Sequence, residues 1–172
     1  MAIRIVLVDD HRIIRDGLRS MLEKHKNMEV IGEAADGQNA VQTVRKLSPD
    51  VVVIDIGMPE LNGIEACRRI TALKNKPKVI GLSMHADRRY VAQMLKAGAS
   101  GYVLKDSAFE ELVQAITTVA RGKIYLSPQI AGTVLDEFKR TAKDDDGTVF
   151  TVLTDREREV LQQIAEGCST KD

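Results

Sequence analysis

Apolar and polar positions along the chain alternate between two patterns. Five short stretches are almost continuously apolar, and helical spacings of apolar residues separate them. The stretches include Ile5-Val6-Leu7-Val8, Val51-Val52-Val53-Ile54 and Tyr102-Val103-Leu104. Continuous runs of this length, broken by helices, predict strands of a parallel sheet buried on both faces. The second strand is expected over residues 30–35 and the fourth over Lys78–Ser83. Between the strands, Ile14, Leu18, Met21 and Leu22 recur at helical spacing, as do Ala40, Val41, Val44 and Leu47. Asp36-Gly37 turns the chain, and Gly98 stops a helix over residues 90–97. Ser107 and Glu110 have the spacing of a capping box for a helix reaching residue 120. Repeated βα units with short connections imply a doubly wound, five-stranded parallel sheet.

The alternation ends near Gly122. Residues 123–128 read as an extended link, and Pro128 suits the first turn of a helix running to about residue 140. Residues 141–148 carry Lys143, three aspartates and Gly147, the composition of a solvated linker. A last helix is expected over residues 155–166, with Thr154 and Glu157 as a second capping box and Gly167 as its stop. Its stripe of Val160, Leu161 and Ile164 cannot be buried by one helix alone. It should pack on the first domain, on the preceding helix or on a second copy of the chain.

Composition narrows the partners. Lys+Arg and Asp+Glu balance at 25 each, so no basic field advertises nucleic acid. Cys67 and Cys168 have no metal or redox spacing and read as free thiols of a reducing compartment. No signal peptide and no membrane-length apolar run is seen, which predicts a cytoplasmic protein with no membrane association.

The candidate chemistry lies just past the strand ends. Asp9 and Asp10 follow the first strand, Asp55 ends the third, Ser83 ends the fourth and Lys105 follows the fifth. Each has a bland reading by itself: turn carboxylates, a helix N-cap serine, a snorkelling lysine. Tyr102 alone would be a half-buried core aromatic. In a doubly wound sheet, however, residues past the carboxyl ends of the strands gather in one crevice. Carboxylates gathered there repel one another, and a hard cation such as Mg²⁺, with Gly57 offering a backbone carbonyl, relieves the repulsion. A lysine beside them can hold an incoming anion. The set is a site for accepting a phosphoryl group.

In these residues the chain resembles the receiver domain of bacterial two-component response regulators, over about residues 3–121. The motifs stand as VLVDDH, VVVIDIGMPELNGIEACRRI, VIGLSMHAD and AGASGYVLKD. The resemblance implies a flavodoxin-like fold with Asp55 as the phosphorylated residue. It implies Mg²⁺ on Asp9, Asp10, Asp55 and the Gly57 carbonyl, with Ser83 and Lys105 gripping the phosphoryl oxygens. Ser83 and Tyr102 would form the switch, and Gly57 and His85 would tune the lifetime of the phosphoryl group. The chain departs from many receivers in carrying Ser83 for threonine and Asp106 for proline. LTDREREVLQQIAEGCSTKD resembles the opening of the helix-turn-helix output domain of NarL/FixJ (LuxR-type) regulators.

Three units are thus expected. Residues 1–122 form the receiver, 123–150 a linker with a helix, and 151–172 the first part of a DNA-binding domain. The implied partners are a sensor histidine kinase, promoter DNA for the full-length parent but not for this chain, and a second copy as a homodimer. The protein would be a phosphoacceptor rather than an enzyme. Two rival readings use the same residues: a phosphorylation-independent interaction module, and a small hydrolase with Asp55 as nucleophile.

Overall fold

The computed structural model describes residues 1–59, 62–144 and 155–165. Strands β1 (Ile3–Val8), β2 (Met28–Ala34), β3 (Val51–Asp55), β4 (Lys78–Ser83), β5 (Gly101–Leu104) and β6 (Tyr125–Leu126) form one sheet in the order β2-β1-β3-β4-β5-β6. Every neighbouring pair is parallel. Helices α1 (Arg12–Leu22), α2 (Gly37–Leu47), α3 (Gly63–Thr71), α4 (Arg88–Lys96) and α5 (Ala108–Ala120) connect the strands. Two more follow, α6 (Pro128–Asp144) and α7 (Asp155–Ala165).

The strand runs are continuously apolar because both sheet faces are covered. Side chains alternate faces along each strand. Val6, Val8, Val52 and Ile54 point to the layer of α2, α3 and α4, where Ala40, Val44, Cys67, Ile70 and Met94 are buried. Ile5, Leu7, Val51 and Val53 point to α1 and α5, against Leu18, Leu22, Leu112 and Ile116. Helix starts are fixed locally by side-chain caps. Asp36 accepts from the Asn39 amide, Asn62 from that of Glu65 and Asp87 from that of Arg89.

Four expectations need correction. The sheet has six strands, not five, because the link over residues 123–128 contains β6. Two residues are too short to show a period, and pairing with Gly101 and Tyr102 is what makes them a strand. The second strand begins at Met28 and ends at Ala34. Ser107 makes no capping bond; its hydroxyl donates to the Leu104 carbonyl, because a 3₁₀ turn over Lys105–Ser107 precedes α5. Helix α6 continues to Asp144, so the start of the acidic stretch is helical. Thr154, Gly167 and Cys168 lie outside the described residues.

The stripe on α7 packs on the first domain. Val160 is buried in the α2–α4 core layer and Ile164 packs against it. Arg156 donates to the Ala99 carbonyl through two nitrogens, at 2.8 and 3.2 Å, and to the Ser100 hydroxyl at 3.0 Å. The Gln163 carboxamide oxygen accepts from the Ile124 amide at 2.6 Å.

Candidate functional site: an acidic crevice with a bridging lysine

Register explains how distant residues meet. Val8 pairs with Ile54, so Asp9 and Asp55 emerge side by side from β1 and β3. Strand order reverses at this point, since β1 leads to β2 on one side and β3 lies on the other. Leu104 pairs with Ser83, so the residue after β5 leaves the sheet at the same end.

Lys105 crosses β4 to reach both carboxylates. Its Nζ lies 2.9 Å from Asp9 Oδ2 and 3.0 Å from Asp55 Oδ2. Asp9 and Asp55 are only 2 % and 4 % exposed. Burial alone would favour the neutral amine, but hydrogen bonds to Asp9 and then Asp55 outweigh it and raise the Lys105 pKa above its ordinary value. Asp10 stands at the mouth. The Gly57 amide donates to Asp55 Oδ1 at 2.9 Å and fixes the carboxylate's rotamer. Donor atoms of Asp9, Asp10, His11 and Asp55 all lie within 4.8 Å of one another. Three carboxylates against one ammonium leave the crevice with an excess of negative charge, two of them away from water. That donor set fits a hard divalent cation.

Ser83 and Tyr102 form the adjoining part. The Ser83 hydroxyl accepts from the His85 amide at 3.0 Å, so it caps a loop rather than α4, whose N-cap is Asp87. Tyr102 is fully buried, and its hydroxyl donates to the His85 carbonyl at 2.9 Å. Burial raises its pKa, opposed in part by a hydrogen bond with Ser83. The outer side of this group is the His85 ring, stacked on Tyr90 with centroids 6.4 Å apart.

Two neighbours were not anticipated. The His11 ring turns back onto Asp9 and Asp10, and the Arg15 guanidinium donates to the Asp9 carbonyl at 2.5 Å while pairing with Glu33. The adjacent letters of VLVDDH were the available signal for His11. Arg15 and Arg19, four apart on one helix face, were the signal for a carboxylate across from them.

This fold, with an acidic crevice and a lysine at the topological switch point, is that of a phosphoryl-signalling receiver. Residues 5–117 match the sequence profile of the response regulator receiver domain, and the chain belongs to that family. It is a two-component response regulator of the kind that controls transcription. Over 98% of its length it is 37% identical to the transcriptional regulatory protein DegU of Brevibacillus brevis, covering 77% of that protein. Over 99% it is 38% identical to the transcriptional regulatory protein LiaR of Bacillus subtilis, covering 80%. A LuxR-family two-component response regulator from Aurantimonas sp. SI85-9A1 superposes with a TM-score of 0.76 at 39% identity, over 80% of this chain and 98% of that one. Response regulators are not usually classed as enzymes. No described helix is long and apolar enough to cross a membrane.

Proposed function

We propose that Asp55 is the phosphoacceptor of this regulator and takes its phosphoryl group from a phosphohistidine on a sensor kinase. The observation that carries the proposal is the Lys105 bridge, with Nζ within 3.0 Å of the carboxylates of both Asp9 and Asp55. A buried carboxylate paired with an ammonium is a nucleophile with its counter-charge already in place. Asp55 attacks phosphorus in line, and Lys105 follows the equatorial oxygens as negative charge develops on them. Asp9, Asp10, Asp55 and the Gly57 carbonyl would hold Mg²⁺, which would supply charge neutralisation of the phosphoryl oxygens when bound.

Ser83 pairs across the β4–β5 ladder with Leu104, the residue before Lys105. Turning toward a phosphoryl oxygen would release its bond from the His85 amide. Tyr102 already fills the buried position beside it. Phosphorylation therefore strengthens an inward Tyr102 rather than creating one, and the face of β4, α4 and β5 is the surface that responds. The receiver domain of RcsB from Salmonella enterica serovar Typhimurium, solved in the presence of phosphomimetic BeF3⁻, has the same fold, with a TM-score of 0.69 at 25% identity over 76% of this chain and 97% of that one.

In this reading residues 1–122 are the receiver, 123–150 the linker and 151–172 part of a helix-turn-helix output unit acting on promoter DNA in the cytoplasm. The test is incubation with acetyl phosphate and Mg²⁺ followed by intact-mass and peptide mapping. A label on Asp55, lost in Asp55→Asn, is the expected result. A label elsewhere, or none in the parent chain, would sink the assignment and favour a phosphorylation-independent interaction module.

A further inference from the structure

We propose that His11 is a nitrogen ligand of the cation crevice and opens it to borderline first-row divalent ions such as Co²⁺, besides Mg²⁺. The inference rests on the reading above that the crevice holds a divalent cation. His11 occupies the N-cap position of α1, where a side chain ordinarily accepts a bond from the first helical turn. It makes no such bond. Its ring instead turns back into the crevice, with Nδ1 3.1 Å from Asp9 Oδ1 and 3.0 Å from Asp10 Oδ1. The backbone holds it there, since the His11 amide donates to Asp9 Oδ1 at 2.8 Å.

Those spacings are also the edges of a coordination octahedron. Two donors at right angles on one ion, each at about 2.1 Å, lie about 3.0 Å apart. Donors on opposite sides of the ion lie about 4.2 Å apart. The four side-chain donors here fall within 4.8 Å, so the widest pair exceeds an opposite pair on one ion by no more than about 0.6 Å. The ring is 66% exposed, so it can reorient without disturbing the core. The choice of ion follows from donor chemistry. Carboxylates and a carbonyl suit Mg²⁺, which gains little from imidazole, whereas imidazole raises affinity steeply along the first-row series.

The test is calorimetric titration of the whole chain with Mg²⁺ and, separately, Co²⁺, for the parent, His11→Ala and His11→Asn. Pulsed electron paramagnetic resonance of the Mn²⁺-loaded chain adds a direct reading of ligand nitrogen. His11→Ala should lower Co²⁺ affinity about tenfold or more and leave Mg²⁺ within about twofold. His11→Asn keeps an N–H toward the carboxylates but has no imidazole, and should behave like His11→Ala. Nitrogen coupling should be present in the parent and absent in both variants. The inference is overturned if Co²⁺ affinity is unchanged, if both affinities fall together, if Asn restores Co²⁺ binding, or if the parent shows no nitrogen coupling. Mg²⁺ binding in the parent with Co²⁺ affinity unaffected by His11 refutes only the ligation. Failure of the parent to bind either ion refutes the cation crevice itself, and the inference with it.

Discussion

Lys105 Nζ stands 3.0 Å from Asp55 Oδ2, although the strands that deliver the two residues are separated by β4. The contact spans 50 residues of chain and pins the open end of the sheet. Lys105→Met keeps the length of the side chain and removes its charge, leaving Asp9 and Asp55 buried without their shared cation. Breaking a buried pair in this way should cost about 3 kcal/mol of stability by urea denaturation at neutral pH. Saturating Mg²⁺ should recover about 2.7 kcal/mol at 100 times the dissociation constant. Because the folded state raises the Lys105 pKa, its contribution is complete below the unfolded value near 10.4 and is lost as pH rises through the folded one. The gap between parent and variant should therefore be flat through neutral pH and close only in strong alkali. A variant as stable as the parent without a cation would show that the bridge contributes nothing.

Gly63 should tolerate no side chain. A Cβ there would fall 2.3 Å from the Asp55 carbonyl oxygen and 2.6 Å from the Ile56 Cα, both backbone atoms that cannot turn aside. Gly63→Ala must push α3 away from the end of β3 and move Asp55 with it. We expect a loss of about 1–3 kcal/mol, by analogy with overpacked cores, together with slower labelling of Asp55 by acetyl phosphate. Normal stability and labelling would mean that the α3 start shifts freely.

Much of this was legible because physics writes it locally. A strand buried on both faces must be a continuous apolar run, and Val51-Val52-Val53-Ile54 is one. Topology then sends Asp9, Asp55 and Lys105 to the same end. The rest depends on contacts that leave no period in the chain. Tyr125-Leu126 become a strand only because the Tyr125 amide reaches the Ser100 carbonyl and Ser127 bonds twice to the same edge of β5, donating its amide to the Tyr102 carbonyl and accepting from the Leu104 amide at its hydroxyl. Ser107 has the letters of a cap, but the 3₁₀ turn before α5 aims its hydroxyl elsewhere. Whether a side chain such as His11 faces the crevice or solvent is decided by its rotamer, and spacing is silent on that.

Glu33 gives a pH signature on the acid side. It accepts from Arg19 at 2.5 Å and Arg15 at 3.1 Å, and is about one-quarter exposed. Burial works to raise its pKa, but the hydrogen bonds from Arg19 and Arg15 together hold it below the ordinary carboxylate value. A depressed folded pKa stabilises above the unfolded value, near 4.3, and the contribution is lost as pH falls through the folded one. Glu33→Gln should thus cost about 1–2 kcal/mol at pH 7, with solvent screening limiting the figure. The difference from the parent should shrink steadily below pH of about 4.3. A deficit that persists unchanged into acid would mean the amide disrupts packing, not charge.

Arg156 is, alongside Gln163, a polar hold of α7 on the rest of the molecule. Its guanidinium places two nitrogens on the Ala99 carbonyl and one of them also on the Ser100 hydroxyl, at the foot of β5, the strand that carries Tyr102. Val160 supplies the apolar half of the same contact, at 1% exposure. Arg156→Ala removes the fork and leaves the Ala99 carbonyl without that partner, a loss of about 1–2 kcal/mol from local docking and little from global stability. Amide exchange in α7 should accelerate about five- to thirtyfold, the population change that such a loss permits, while amides of α1 and β1 keep the parent's rates. Arg156→Lys retains the charge but cannot place two donors on one carbonyl, so it should restore only part of the protection. Val160→Ala should accelerate the same amides, and the double variant should show whether the two contacts act together. If exchange in α7 were unchanged by Arg156→Ala yet rose with Val160→Ala, the docking would be apolar and the fork a bystander.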